Sequence, residues 1–288
     1  MKTALLLPLA ACGALLLMAA APKNEQPPAG AADKITKALP SEPYAKPEKT
    51  RKLLVFSRTA GFRHESIATG KLALAEMGEK TEAFTAVISD DFENFEPGNI
   101  DAFDAILFLS TTQNAFEGAK DEKALQESLM SFVKGGKGFV GIHAATDTFY
   151  QWPAYGEMIN GYFDGHPWTA DKKVHIFVEP GQESHPLAEM FEGQPMEFEE
   201  EIYQLKDPYD SSKVSMLLRL DPAKSAEVGG VNRTDNDFGV AWARKWGDGR
   251  VFYSSLGHNH HIYWNPKILR HYLAGIQWAL GDLEAEVK

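Results

Sequence analysis

The chemistry this sequence offers lies in scattered histidines and one acidic run. His64 stands in Phe62-Arg63-His64-Glu65-Ser66-Ile67, His143 in Gly141-Ile142-His143-Ala144-Ala145, His166 in Gly165-His166-Pro167-Trp168 and His258 in Leu256-Gly257-His258. Glu201 ends the run Glu199-Glu200-Glu201, directly before Ile202-Tyr203-Gln204-Leu205. Imidazoles titrate near neutrality, so beside a carboxylate they can move protons or ligate a divalent cation. A strong nucleophile is missing. Cys12 is the single cysteine and lies in the first 21 residues, so a domain beginning later has neither thiol nor disulfide.

Each of these residues also has a plainer reading. His143 follows an apolar run at a point where hydrolases and amidotransferases seat a nucleophile on a strand-to-helix turn, yet such a histidine can simply cap the next helix. Arg63 could hold a hydroxyl-rich ligand or form an ordinary ion pair. Trp168 beside His166 could stack on the C–H face of a sugar or staple a loop. Charge runs are usually solvated, but strand alternation would turn Glu201 inward with Tyr203 and Glu200 outward. His260 and His261 read as loop histidines, His185-Pro186 as turn chemistry and His175 as a strand residue. Phe149, Tyr150, Trp152 and Tyr155 read as core or as pocket wall.

Strands and helices must bring these residues together. The chain has 288 residues and a net charge of −11, which argues against the basic surface that nucleic acid requires. Lys2 followed by an apolar run from Ala4 to Ala21 reads as a secretory signal over residues 1–21. Leu9-Ala10-Ala11-Cys12 also has the outline of a lipoprotein box, so the expected location is periplasmic or secreted, with an anchor at Cys12 as an alternative. Six prolines between 22 and 51 predict a linker with little fixed structure. Beyond it, apolar runs predict strands at 53–56, 84–88, 105–109 and 138–142. Helices are expected at 65–78, with Gly78 as its C-cap, and at 122–133. Strands alternating with helices imply a mostly parallel sheet covered on both faces. Shorter strands follow at 174–178, 202–205, 214–220, 240–246 and 251–254, the last two joined through Gly247-Asp248-Gly249. A helix from Pro266 to Leu280 closes the domain. In a parallel sheet the loops bearing His64 and His143 open on the same edge.

Five segments resemble the motifs of the ThuA-like (trehalose utilisation) family, in the family's order. They are Phe62 to Ile67, Gly138 to Asp147, Gly165-His166-Pro167, Glu200 to Tyr203, and Gly249 to Tyr253 with Leu256-Gly257-His258. The fourth motif usually opens with aspartate, where this chain has Glu200. The resemblance covers residues 52–282, leaving 283–288 as a tail, and implies a flavodoxin-like sheet of the class I glutamine amidotransferase type. It also implies a carbohydrate substrate from disaccharide utilisation, including sugars oxidised to 3-keto forms. Residues carried over are His64, His143, Glu201 and His258 as catalytic, with Arg63, Asp147, His166, Trp168 and Tyr203 toward substrate. A divalent metal held among His64, His143, His166, Glu201 and His258 is a further expectation.

Two functional classes follow. One is a lyase, hydrolase or isomerase on keto-sugars, working by general-base chemistry beside a carbonyl. The other is a sugar-binding protein using the same cleft without catalysis. Glutamine amidotransfer is excluded by the missing thiol, and no membrane association is expected beyond the leader or a lipid anchor.

Overall fold

The computed structural model describes residues 26–288. The expected leader at 1–21, including Cys12, lies outside the described residues. Among the described residues no helix is long and apolar enough to cross a membrane.

Strands β1 (Lys52–Phe56), β2 (Thr85–Ile88), β3 (Ala105–Leu109) and β4 (Gly138–Ile142) alternate with helices α2 (Ile67–Thr81) and α3 (Glu122–Lys134), as the apolar runs predict. They form the parallel order β2-β1-β3-β4, and β11 (Gly249–Ser254) joins β4 in parallel to complete a flavodoxin-like sheet. Alternation sends Leu53, Val55, Leu107, Val140 and Ile142 to one face, under α2 and α5 (Pro266–Leu280). Leu54, Phe56, Ile106, Phe108 and Phe139 go to the other, under α3 and α4 (Pro153–Ile159).

The late strands extend this sheet in antiparallel fashion. β10 (Gly239–Trp246) turns back from β11, followed across the sheet by β9 (Ser215–Leu220), β6 (Lys173–Val178) and β7 (Met196–Glu199). The expected strand at 202–205 is not one. Ile202 makes a single bridge to Trp168, and only Leu205–Lys206 (β8) pairs, with Tyr162–Phe163 (β5).

The expected linker is structured. Helix α1 (Ala31–Ala38) buries Ala31 and Ile35 in the core, packing on α2 and on the short helix His260–Trp264. Buried Gln277 accepts from the Tyr44 backbone and donates to the Ala45 carbonyl, stitching that segment to α5. Proline-rich composition missed this because two buried apolar residues on one face suffice when a preformed surface receives them. The tail is also docked: Lys245 N donates to the Lys288 carbonyl, and Leu283, Ala285 and Val287 pack on the core. Nor does Gly78 cap α2. The helix runs to Thr81, and a Cβ at Gly78 would stand 2.5 Å from the Phe84 carbonyl oxygen, so glycine is there for close packing.

Candidate active site

Because β1, β4 and β11 are parallel, the segments after them leave the same edge of the sheet. His64 arrives from the loop after β1, His143 from the turn after β4 and His258 from the loop after β11. Glu201 comes from the antiparallel extension, two residues past the end of β7. One ligand atom from each of His64, His143, Glu201 and His258 lies within 4.8 Å of all the others. The four residues expected to be catalytic therefore share one centre.

His143 is its hub. Its backbone is left-handed, φ 52°, as are those of Ser110 at the end of β3 and of Gln113 and Phe149 nearby. Non-glycine residues in that region cost about 1–3 kcal/mol each, and they gather here at the strand ends. The imidazole is fully buried and its Nδ1 donates to the Ser255 carbonyl at 2.8 Å, which leaves Nε2 as the lone-pair nitrogen. Around Nε2 stand His64 Nε2 at 3.1 Å, the Tyr203 hydroxyl at 3.1 Å and Glu201 Oε1 at 3.6 Å. Gly257, φ 142°, passes so close that a Cβ there would meet His143 Cβ at 3.1 Å.

Glu201 ties the remaining histidines to the hub. Its Oε1 lies 3.1 Å from His258 Nδ1, off the hydrogen-bonding direction, and its Oε2 lies 3.4 Å from Nδ1 of half-exposed His166. Burial, reinforced by the neighbouring His258 and His166, lowers the His64 pKa to about 3. Burial likewise holds His143 well below the ordinary value, with His64 and His258 adding to it. His258 moves the other way: burial opposes its charge, but the Glu201 carboxylate outweighs it. Two neutral imidazoles thus face a carboxylate and a third imidazole that holds its proton more tightly.

Glu200 overturns the expected alternation. It is fully buried, and its carboxylate accepts from the backbone N–H of Gly257, His258 and Asn259 at 2.7–3.0 Å. Burial pushes its pKa up to about 8 against those three donors. Since residues 200–204 are not a strand, period-two alternation does not apply, and Glu200 and Glu201 both turn inward. Glu200 positions the loop that carries His258, a role for which a local sequence pattern gives no signal.

The residues expected toward substrate divide. Tyr203 and His166 belong to the centre. Asp147 accepts from the Tyr150 hydroxyl and Gln113 at the end of the His143 turn, and burial raises its pKa. Arg63 donates to the Ser57 carbonyl and lies 3.9 Å from Asp90, bracing the end of β1. Trp168 is a core residue: 1 % exposed, its indole N–H donates to the Ala226 carbonyl and its ring meets Phe238 edge-on, so it cannot stack on a sugar. Phe62 was passed over as a site residue. It is 66 % exposed, and its ring stands edge-on to His64 with centroids 4.8 Å apart. An aromatic two residues before His64 was the available signal.

Phe149 and Tyr155 are buried beneath the His143 turn, where the Tyr155 hydroxyl donates to the Ala145 carbonyl. His260 bonds Thr69, His175 pairs with Glu197 and His185 caps its own turn, all outside the four-residue centre. A surface depression of about 980 Å³ lies between residues 42–51 and the α2–β2 connection. It holds none of the catalytic set and is lined by lysines and glutamates of mixed sign.

A family model described as trehalose utilisation (ThuA) matches residues 52–279. No curated protein matches the chain. Among solved structures, a ThuA-like protein from Bacteroides uniformis ATCC 8492 is 21% identical, covering 82% of this chain and 94% of its own, with a TM-score of 0.61. A ThuA-like protein from Parabacteroides merdae ATCC 43184 is 17% identical over 83% of this chain and 93% of its own, TM-score 0.56. A cytoplasmic protein from Salmonella typhimurium is 14% identical over 80% and 98%, TM-score 0.55. At these identities the likeness is one of fold.

Proposed function

Since this chain belongs to the trehalose-utilisation (ThuA) family, we propose that it acts on a carbohydrate, as an enzyme that abstracts a proton beside the carbonyl of a 3-keto sugar. The observation that carries this reading is the convergence of His64, His143, His258 and Glu201 at the strand ends with no thiol or serine among them. Such a set can move protons and stabilise an oxyanion, but it cannot form an acyl or glycosyl intermediate through a thiol or an elbow serine.

A ketone at C3 acidifies the C2 proton. Glu201 takes that proton, the C–H pair moves into the C2–C3 bond, and the carbonyl pair moves onto O3. The Tyr203 hydroxyl, buried 3.1 Å from His143 Nε2, is the donor for the resulting enediolate. Return of the pair from O3 restores the ketone, forms a C1–C2 double bond and expels the glycosidic oxygen, which needs a proton. His166 Nδ1, 3.4 Å from Glu201 Oε2 and open to solvent, can pass it one. Reprotonation of C2 on the other face gives isomerisation instead. Phe62 supplies the apolar platform for the pyranose that Trp168 does not.

The test is incubation with 3-keto and unoxidised disaccharides in deuterated water. Deuterium entry at C2, or release of the leaving sugar from the keto substrate alone, is expected. Glu201→Gln should lower either rate by about 10²–10⁴-fold, the usual contribution of a general base. If the wild-type protein binds both sugars and leaves both unlabelled and intact, it is a binding protein and the catalytic reading fails.

A further inference from the structure

We infer that His64, His143, His258 and Glu201 form a site for one divalent transition-metal ion. The inference shares its residues with the proposed reaction but stands on their hydrogen bonding. His143 donates through Nδ1 to the Ser255 carbonyl, so its Nε2 presents a lone pair to His64 Nε2 at 3.1 Å. If His64 carries its hydrogen on Nδ1, two lone pairs face each other in a buried space. If it carries it on Nε2, that hydrogen and the Tyr203 hydroxyl compete for a single lone pair, and buried His64 Nδ1 has no donor. Either tautomer leaves a buried polar conflict, which typically costs about 1–3 kcal/mol.

His258 Nδ1 presents the same signature. It is buried without a hydrogen-bond partner although Glu201 Oε1 lies 3.1 Å away. Two ligand atoms that close without an aligned hydrogen bond between them can both bind one ion. Ligands bonded to one ion at about 2.1 Å sit roughly 3.4 Å apart when tetrahedral. Separations of 3.1 Å for His64 to His143, 3.1 Å for His258 to Glu201 and 3.6 Å for His143 to Glu201 bracket that value, and all four ligand atoms lie within 4.8 Å of one another.

The surroundings have the form that metal sites take. The non-ligating nitrogen of His143 is fixed by a backbone carbonyl, and the second oxygen of Glu201 faces His166. Glu200 holds the His258 loop by three hydrogen bonds, and Gly257 lets that loop approach His143. Three imidazoles and one carboxylate suit zinc, iron(II), cobalt(II) or nickel(II), whereas calcium and magnesium prefer all-oxygen sets. A bound ion would act on a sugar carbonyl or hydroxyl as a Lewis acid, leaving Glu201 Oε2 for proton transfer.

The experiment strips the purified full chain with chelator, reloads it separately with zinc and with cobalt, removes excess metal and counts metal per chain by plasma emission. One equivalent is expected, with cobalt giving the visible absorption of a four- or five-coordinate centre. His64→Ala and His143→Ala should each reduce retention at least tenfold, while His260→Ala and His261→Ala should not change it. Should His143→Ala misfold, Glu201→Gln keeps the volume and should still weaken binding. Substoichiometric metal on folded wild-type chain, or equal retention by all variants, overturns the site. One bound equivalent without turnover leaves the site intact and removes the proposed reaction instead.

Discussion

The two halves of the sheet reach the same centre by different means. In the parallel half, β1, β4 and β11 run in one direction, so their following loops deliver His64, His143 and His258 to one edge whatever the loop details. In the antiparallel half no topological rule aims Glu201. It is turned inward because the adjacent Glu200 occupies three backbone donors on the His258 loop. Topology assures the first set of positions, whereas a single buried carboxylate assures the second. Positions of the first kind survive changes in loop sequence, and those of the second kind hang on one residue.

Replacing that residue should therefore have the largest effect. Glu200→Ala leaves the N–H groups of Gly257, His258 and Asn259 without acceptors, at about 1–3 kcal/mol each, so a loss of at least about 3 kcal/mol in unfolding free energy is expected. Any activity should fall with it, because His258 loses its fixed loop, even though Glu200 touches no reacting atom. Glu200→Gln keeps one carbonyl oxygen for Gly257 and His258, which share Oε1, and should lose about half as much. Denaturant melts of the three proteins decide it. If Glu200→Ala is as stable as wild type, the antiparallel half aims its carboxylate by some other means and the contrast between halves collapses.

The parallel half contains its own control, a buried histidine remote from the strand ends. His271 on α5 donates through Nδ1 to the Leu187 carbonyl and lies between the rings of Phe191 and Phe252. Burial lowers its pKa to about 4, while the bond to Leu187 opposes the shift. The folded state then binds this proton less tightly than the unfolded chain, whose histidine titrates near the ordinary value. The sign follows: the contribution is complete above about pH 6.5 and is lost as pH falls to about 4, amounting to at most about 3 kcal/mol. Stability measured across that window should fall with pH, and His271→Gln should flatten the slope without altering metal retention. An unchanged slope would mean that His271 titrates alike in the folded and unfolded states.

How far the sequence could be read follows the same division. Helix α5 runs from Pro266 to Leu280 as predicted, and the strands of the parallel half lie where their apolar runs put them, because a strand buried on both faces must be apolar throughout. The positions of His64, His143 and His258 were legible for a related reason: once the sheet is parallel, a histidine after a strand has only one edge to occupy. The orientation of Glu200, the burial of Trp168 and the docking of α1 were not legible. Each depends on a partner distant in sequence: the His258 loop for Glu200, Ala226 and Phe238 for Trp168, and α2 with the short helix His260–Trp264 for α1. Local pattern states which side chains can be buried, and only the assembled fold states against what.

The smallest expected effect separates two aromatics, one from each half. Trp168 belongs to the antiparallel core, and Trp168→Phe removes the donor to the Ala226 carbonyl and part of the ring volume. It should lower stability by about 1–3 kcal/mol with no change in sugar affinity of the folded protein. Phe62, two-thirds exposed beside His64, has little burial to lose, so Phe62→Ala should change stability by no more than about 0.5 kcal/mol. If its ring carries a pyranose face, the same substitution should weaken binding by roughly tenfold, the equivalent of about 1.4 kcal/mol. It should act on KM rather than kcat, since a platform holds substrate and transition state alike. Calorimetric titration with the keto-disaccharide, run on both variants beside their melts, gives all four numbers. Unchanged affinity in Phe62→Ala would leave the exposed ring without a role in binding and shift the sugar site to the His166 side of the cleft.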